Sequence, residues 1–149
     1  MKILGRRKLE RRLAQMPETA RAEIRIAMEK SADEIVAGMK LLVPVDTGKL
    51  RDTVGWTWGE APKGALILGR TKKASIASRA GLSITIYAGD ETTMVGKRSQ
   101  FQLARLIEFG TVEMAAQPFF FPAWRLGRKR ARRRIARAAS KAAKKVAAG

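Results

Sequence analysis

The chain has 149 residues, a net charge of +18 and an apolar content of 46%, enough for one modest core and too much for a wholly disordered protein. Cysteine and histidine are both absent, which removes disulfides, thiolate zinc sites, Cys or His nucleophiles and the imidazole proton shuttle together. No apolar run approaches the roughly 18 to 20 residues that cross a bilayer, and Arg6 to Arg12 stand where a signal peptide needs apolar residues, so neither a membrane partner nor export is expected.

The charge is unevenly placed. Residues 1–12 carry +5, residues 125–149 carry eleven Lys and Arg with no acid, and the rest carries only +2. The expected organisation is therefore a basic N-terminal arm over 1–16, a nearly neutral domain over 17–124, and a basic C-terminal helical arm over 125–149. Such arms seek polyanions: nucleic acid, an acidic protein surface or an anionic membrane. The bland alternative is a solvated helix face. The residues expected to make polyanion contacts are Arg128, Lys129, Arg130, Arg132, Arg133, Arg134, Arg137 and Lys141.

In chain order, Leu9, Leu13 and Met16 form a weak helical stripe in the first arm. Pro17 suits the first residue of a helix, with Glu18 and Glu23 near its positive end. Ala20, Ile24, Ala27, Met28, Ile35, Met39 and Leu42 recur at spacings of three and four, which predicts one long amphipathic helix. It ends near Leu42, because Pro44 biases Val43 out of helical geometry. Pro44, Asp46, Thr47, Gly48, Leu50 and Arg51 then read as a structural turn. Asp46 is placed to accept backbone N–H bonds, Gly48 to adopt positive φ, and Leu50 to drop into the core.

Thr53 to Trp58 alternates, with Val54, Trp56 and Trp58 on one face. Gly59 to Gly64 is turn chemistry, and Ala65 to Gly69 is a short apolar strand. Arg70 to Gly81 is basic, aperiodic and expected to be a loop or hairpin tip. Leu82 to Tyr87 alternates again, and Gly89 to Ser99 reads as polar loop. Gln100 to Phe109 predicts a short helix ended by Gly110, and Ala115 to Phe121 an extended stretch. Pro122 opens a last helix to about Val146, whose thin stripe of Ala131, Ile135, Ala138, Ala142 and Val146 suits packing against a neighbouring chain. The fold class is α+β: a long N-terminal helix on a small antiparallel sheet of three or four short strands, a short helix, and a long basic C-terminal helix.

Little here points to catalysis. Asp46-Thr47-Gly48 is the triplet of aspartic proteases, and Ala65 to Thr71 resembles the apolar-Gly-Arg stretch of the retroviral enzymes. Their chemistry needs two carboxylates sharing a proton. Here the two stretches lie too close together, a long helix precedes the Asp, and Lys49 stands where a small residue is usual, so the turn is preferred. Gly96-Lys97 lacks the earlier glycine of a phosphate loop. Glu108, flanked by apolar residues, has no catalytic partner and is expected to bond backbone N–H groups or Arg105. No catalytic, metal or cofactor site is expected, and no enzyme. Phe119, Phe120 and Phe121, if extended, cannot all face one core: either two layers sandwich the segment or part of it is an interface. Of these, a subunit interface, with Trp124, Glu108 and Thr111 beside them, is the one expected over a purely internal role.

The order of long helix, P-V-D-T-G-K-L-R, short strands, R-L-I-E-F-G-T, Q-P-F-F-F-P-A and C-terminal helix resembles the small tail-component family of tailed bacteriophages, the tail-completion, head–tail joining or neck proteins. The resemblance covers about residues 18–135. Members often carry Tyr-Ala just before the E-F-G-T turn, where this chain has Leu103-Ala104-Arg105-Leu106, with Tyr87-Ala88 earlier. The resemblance implies a structural virion protein of the neck or upper tail, assembled in the host bacterial cytoplasm. Its implied partners are its own copies in a connector ring, a hexamer matching the tail, and other neck and tail proteins: head-closure or adaptor, tail terminator or tail tube. The basic arms would meet packaged double-stranded DNA in the channel or acidic surfaces of neighbouring subunits. The alternative is a stand-alone basic nucleic-acid-binding protein, with Arg128 to Lys145 on phosphates.

Overall fold

The apolar spacing after Pro17 forms helix α1, Glu18–Leu42, in a computed structural model that describes residues 15–67, 81–98 and 100–148. Pro17 sits one position before the helix, its carbonyl accepting the Arg21 N–H. The buried stripe is wider than the periodic residues predict. Ser31, Ala32 and Val36 join Ala20, Ile24, Ala27, Ile35 and Met39, whereas Met28 is half-buried and Leu42 exposed. The cause is double cover, since α1 packs on the sheet and on the last helix. Ser31 is tolerated there because its hydroxyl donates to the Ala27 carbonyl at 2.7 Å, satisfying a buried polar group locally.

Val43 leaves the helix in extended geometry, as Pro44 requires. Gly48, at φ 81°, leads into a four-residue helix, α2, Lys49–Asp52, which drops Leu50 into the core at 5% exposure. Asp46 is exposed and bonds no described residue; the Thr47 hydroxyl takes the local N–H, from Lys49, at a long 3.5 Å. Thr53 closes α2 through its N–H to Lys49 and Leu50, so β1 is shorter than the alternation suggests, Gly55–Trp58.

β2, Leu66–Ile67, and β3, Ile84–Ala88, complete a three-stranded antiparallel sheet in the order β1-β3-β2. Trp56 stands opposite Ile86 and Leu66 opposite Ala88. The end of the expected second strand and the loop from Arg70 as far as residue 80 lie outside the described residues. Trp56 and Trp58 face α1, donating their indole N–H groups to Asp33 at 2.7 Å and Glu29 at 3.2 Å. Their rings meet edge to face at 6.2 Å, and the Arg25 guanidinium lies 4.5 Å over Trp58.

The expected polar loop holds more structure. A 3₁₀ turn, Glu91–Thr93, is followed by a small ribbon of β4, Met94–Val95, and β5, Phe101–Gln102. Gln102 is its hub, donating to the carbonyls of Gly64 and Asp90 while accepting from Thr93 Oγ1 and Ala104 N. α3, Leu103–Phe109, follows, and α4, Phe120–Ala148, closes the chain. The core joins Ile35, Val36 and Met39 of α1, and Val43 just after it, to Leu50, Val54, Ala88, Ala104, Phe119, Phe120, Ala123 and Ala131.

α4 runs antiparallel along α1, with Gly38 beside Ala123 at one end and Glu23 bonded to Lys145 at the other. At Gly127 the last helix meets Ile35 of α1 directly. A Cβ there would stand 2.6 Å from Ile35 Cγ1, so any side chain would force the helices apart.

Candidate functional site

Glu108 lies in the last turn of α3, 4% exposed. Gly110 ends that helix at φ 74°, its N–H bonded to the Leu106 carbonyl at 2.7 Å. A Cβ at Gly110 would meet Ala116 N at 2.7 Å and Met114 O at 2.8 Å, so E-F-G-T requires its glycine twice, for backbone angle and for space. Thr111 then folds the loop. Its Oγ1 accepts from Met114 N at 3.0 Å and Glu113 N at 3.3 Å, and its own N–H reaches Met114 O. Gln117 N returns to Ile107 O at 2.8 Å.

That return sets the start of α4 directly over Glu108. Oε2 accepts from Phe119 N at 2.8 Å and Phe120 N at 2.9 Å, and Oε1 from Phe121 N at 3.0 Å. The first N–H groups of a helix have no intrahelical partner and carry the positive end of its dipole. One carboxylate answers three of them, and Pro122, the next residue, has none to answer. Of the two partners expected for Glu108, the backbone is the one found; Arg105 is exposed.

The helix begins two residues earlier than Pro122 suggests, and this redirects the aromatics. Phe119 and Phe120 are 0% exposed, enclosed by their own chain. Phe121 turns aside, its ring 5.9 Å from Phe109, and Trp124 is half-buried. Of the residues expected at a subunit interface, Phe121, Trp124 and Thr111 therefore reach the surface, while Phe119, Phe120 and Glu108 do not. Periodicity missed other exposed apolar residues: Phe109, at the end of α3, is 59% exposed and Val112, on the Thr111 loop, fully exposed, and Leu41 and Val45, at and just after the end of α1, are 83% and 60% exposed.

The basic residues divide into two sets. Arg134 lies in the seam with α1, donating to Ser31 Oγ at 3.2 Å and to Glu34 Oε1 at 2.7 Å, with Arg130 3.9 Å from the same carboxylate. Lys145 pairs with Glu23. The bond from Lys145, helped by its charge and that of Lys141, holds the Glu23 carboxyl below the usual carboxylate range. The bond from Arg134, with the charges of Arg134 and Arg130, does the same for Glu34. Arg128, Lys129, Arg132, Arg133, Arg137 and Lys141 are exposed and make no ion pair with a described acid, although the charge of Lys141 reaches Glu23. The seam has a sequence signal. Glu23 and Glu34 are eleven residues apart, as are Arg134 and Lys145, about three helical turns in each case.

Among the described residues no acidic cluster could hold a metal ion, and no helix is long and apolar enough to cross a membrane. No curated protein and no solved structure matches the chain. Residues 7–110, from the first arm through the glycine of E-F-G-T, match the family described as "Bacteriophage HK97-gp10, putative tail-component". With most of its length matched, and with the long helix, small sheet and E-F-G-T turn in order, the chain belongs to this HK97-gp10-like family of phage tail components.

Proposed function

We propose that the protein is a structural joint of the virion, a tail-completion or neck component that closes into a ring of six between head-closure or adaptor proteins and the tail terminator or tail tube. The observation that carries this beyond family membership is the set of exposed apolar side chains around the E-F-G-T turn. Phe109, the last residue of α3, and Val112, on the loop pinned by Thr111, are exposed there, with Phe121, whose ring lies 5.9 Å from that of Phe109, and Trp124 partly open. A patch that is both apolar and rigid suits a permanent contact, and a closed ring hides such patches by repeating one heterologous contact. The basic arms would face channel DNA or acidic neighbours.

The test is joining itself. Val112→Asp leaves the buried core untouched, Trp124→Ala removes a half-buried ring at its margin, and both are expected to yield separate heads and tails when they replace the natural protein. The purified variants should also lose the ring mass. Normal joining by both variants would overturn the assignment.

A further inference from the structure

We infer that the outward face of α4 is a pre-formed rail for the sugar–phosphate backbone of duplex DNA, engaged without regard to base sequence. The inference rests on the joining proposal only for the source of the DNA. Arg125, Lys129, Arg132, Arg133, Arg137 and Lys144 are exposed and recur at spacings of one to seven on the face opposite buried Ala131 and Ala142. From Arg125 to Lys144 the helix covers about 29 Å at 1.5 Å per residue. Duplex DNA presents one negative charge per 1.7 Å or so of its axis, so the rail meets a matching line of opposite charge wherever it lies along the duplex.

The seam keeps the rail in place, firmly near its root and through small side chains and ion pairs towards its tip. Arg134 and Lys145 fasten α4 to Glu34 and Glu23, and Gly127 seats it against Ile35. Those two acids are thereby consumed on the inner side, and residues 125–149 supply no acid of their own. A helix held in place loses less freedom on binding than a free basic tail.

Composition favours DNA over an acidic protein. Four of the six rail cations are arginine, whose planar fork suits phosphate oxygens. Protein interfaces pair such arginines with buried aromatic anchors, and between Arg125 and Val146 the only large exposed apolar residue on α4 itself, all of whose residues are described, is Leu126. Residues 125–149 contain no Asn or Gln, the side chains suited to adenine edges, so base readout is not expected.

The full-length protein is titrated with a labelled duplex of about 30 base pairs between about 50 and 200 mM salt. Lys129→Gln, Arg132→Gln, Arg133→Gln and Arg137→Gln are combined in one rail variant. Lys63→Gln, Lys97→Gln, Arg98→Gln and Arg105→Gln, all at exposed positions away from α4, form a control with the same net charge. The rail variant should flatten the slope of log K against log salt by about 3 to 4, and the control should leave it nearly intact. An unchanged slope in the rail variant, or an equal change in the control, overturns the rail. Competition by polyglutamate as strong as that by unlabelled duplex would assign the face to an acidic protein, and a strong preference between two duplex sequences would overturn sequence independence. Joining is scored separately: the slope decides the rail whatever the joining result, and joining by Val112→Asp and Trp124→Ala decides the joint whatever the slope.

Discussion

Glu108 shows how one side chain can organise two elements. A carboxylate that accepts three buried N–H groups across a chain reversal is both the cap of α4 and the link from α3 to it. Glu108→Ala would leave those donors without a partner, at a cost of about 2–3 kcal/mol from the lost charged bonds and the stranded N–H groups. Glu108→Gln keeps one acceptor oxygen and should cost roughly half as much. Urea unfolding of the purified variants measures both, and a Glu108→Ala midpoint equal to that of the parent would show that the cap carries no stability. Asp46, by contrast, is exposed and bonds no described residue. The Asp-Thr-Gly triplet that looked like chemistry is a surface bend, whose Thr47 makes one long bond.

Among the elements, the α1–α4 seam is where acid should act. Glu23 and Glu34 both have lowered carboxyl pKa values because cations of α4 bond them. A carboxyl whose folded pKa is depressed adds stability above its unfolded value, and that stability is lost as pH falls through the folded value. The seam should therefore be fully tied near neutrality and weaken below the ordinary carboxylate range of about 4. Thermal melts between neutral and acid pH should fall more steeply for the parent than for Glu23→Gln combined with Glu34→Gln, and identical profiles would remove the seam from the acid response. Much of α1 and the strands was legible from periodicity, because burial on one face leaves a local trace. The partner of α4 was not legible. Its thin Ala131–Ala142 stripe suggested a neighbouring chain, yet α1 of the same chain covers it, a pairing visible only when the two charge pairs are aligned. The fate of Phe119 to Phe121 was hidden for a related reason. Pro122 fits several positions of a first helical turn, and only the distant Glu108 fixes which one.

For the molecule as a whole, the two helices outrun the body they carry. The main core reaches no farther along α4 than Ala131, and beyond it Ala142 is the one fully buried residue. Among the described residues the far half of the hairpin is thus a stalk held by Ala20, Ile24, Ala27 and Ala142 and by ion pairs, with less apolar area to resist opening than at its root. Amide hydrogen exchange should report a gradient along α4: slow near Ala123, where Phe119 and Phe120 anchor it, and progressively faster towards Val146. Uniform protection from one end to the other would contradict the stalk. A lever of this kind, stiff at its root and loose at its tip, would let a joint hold its seat while its free end adjusts to a neighbour of different pitch.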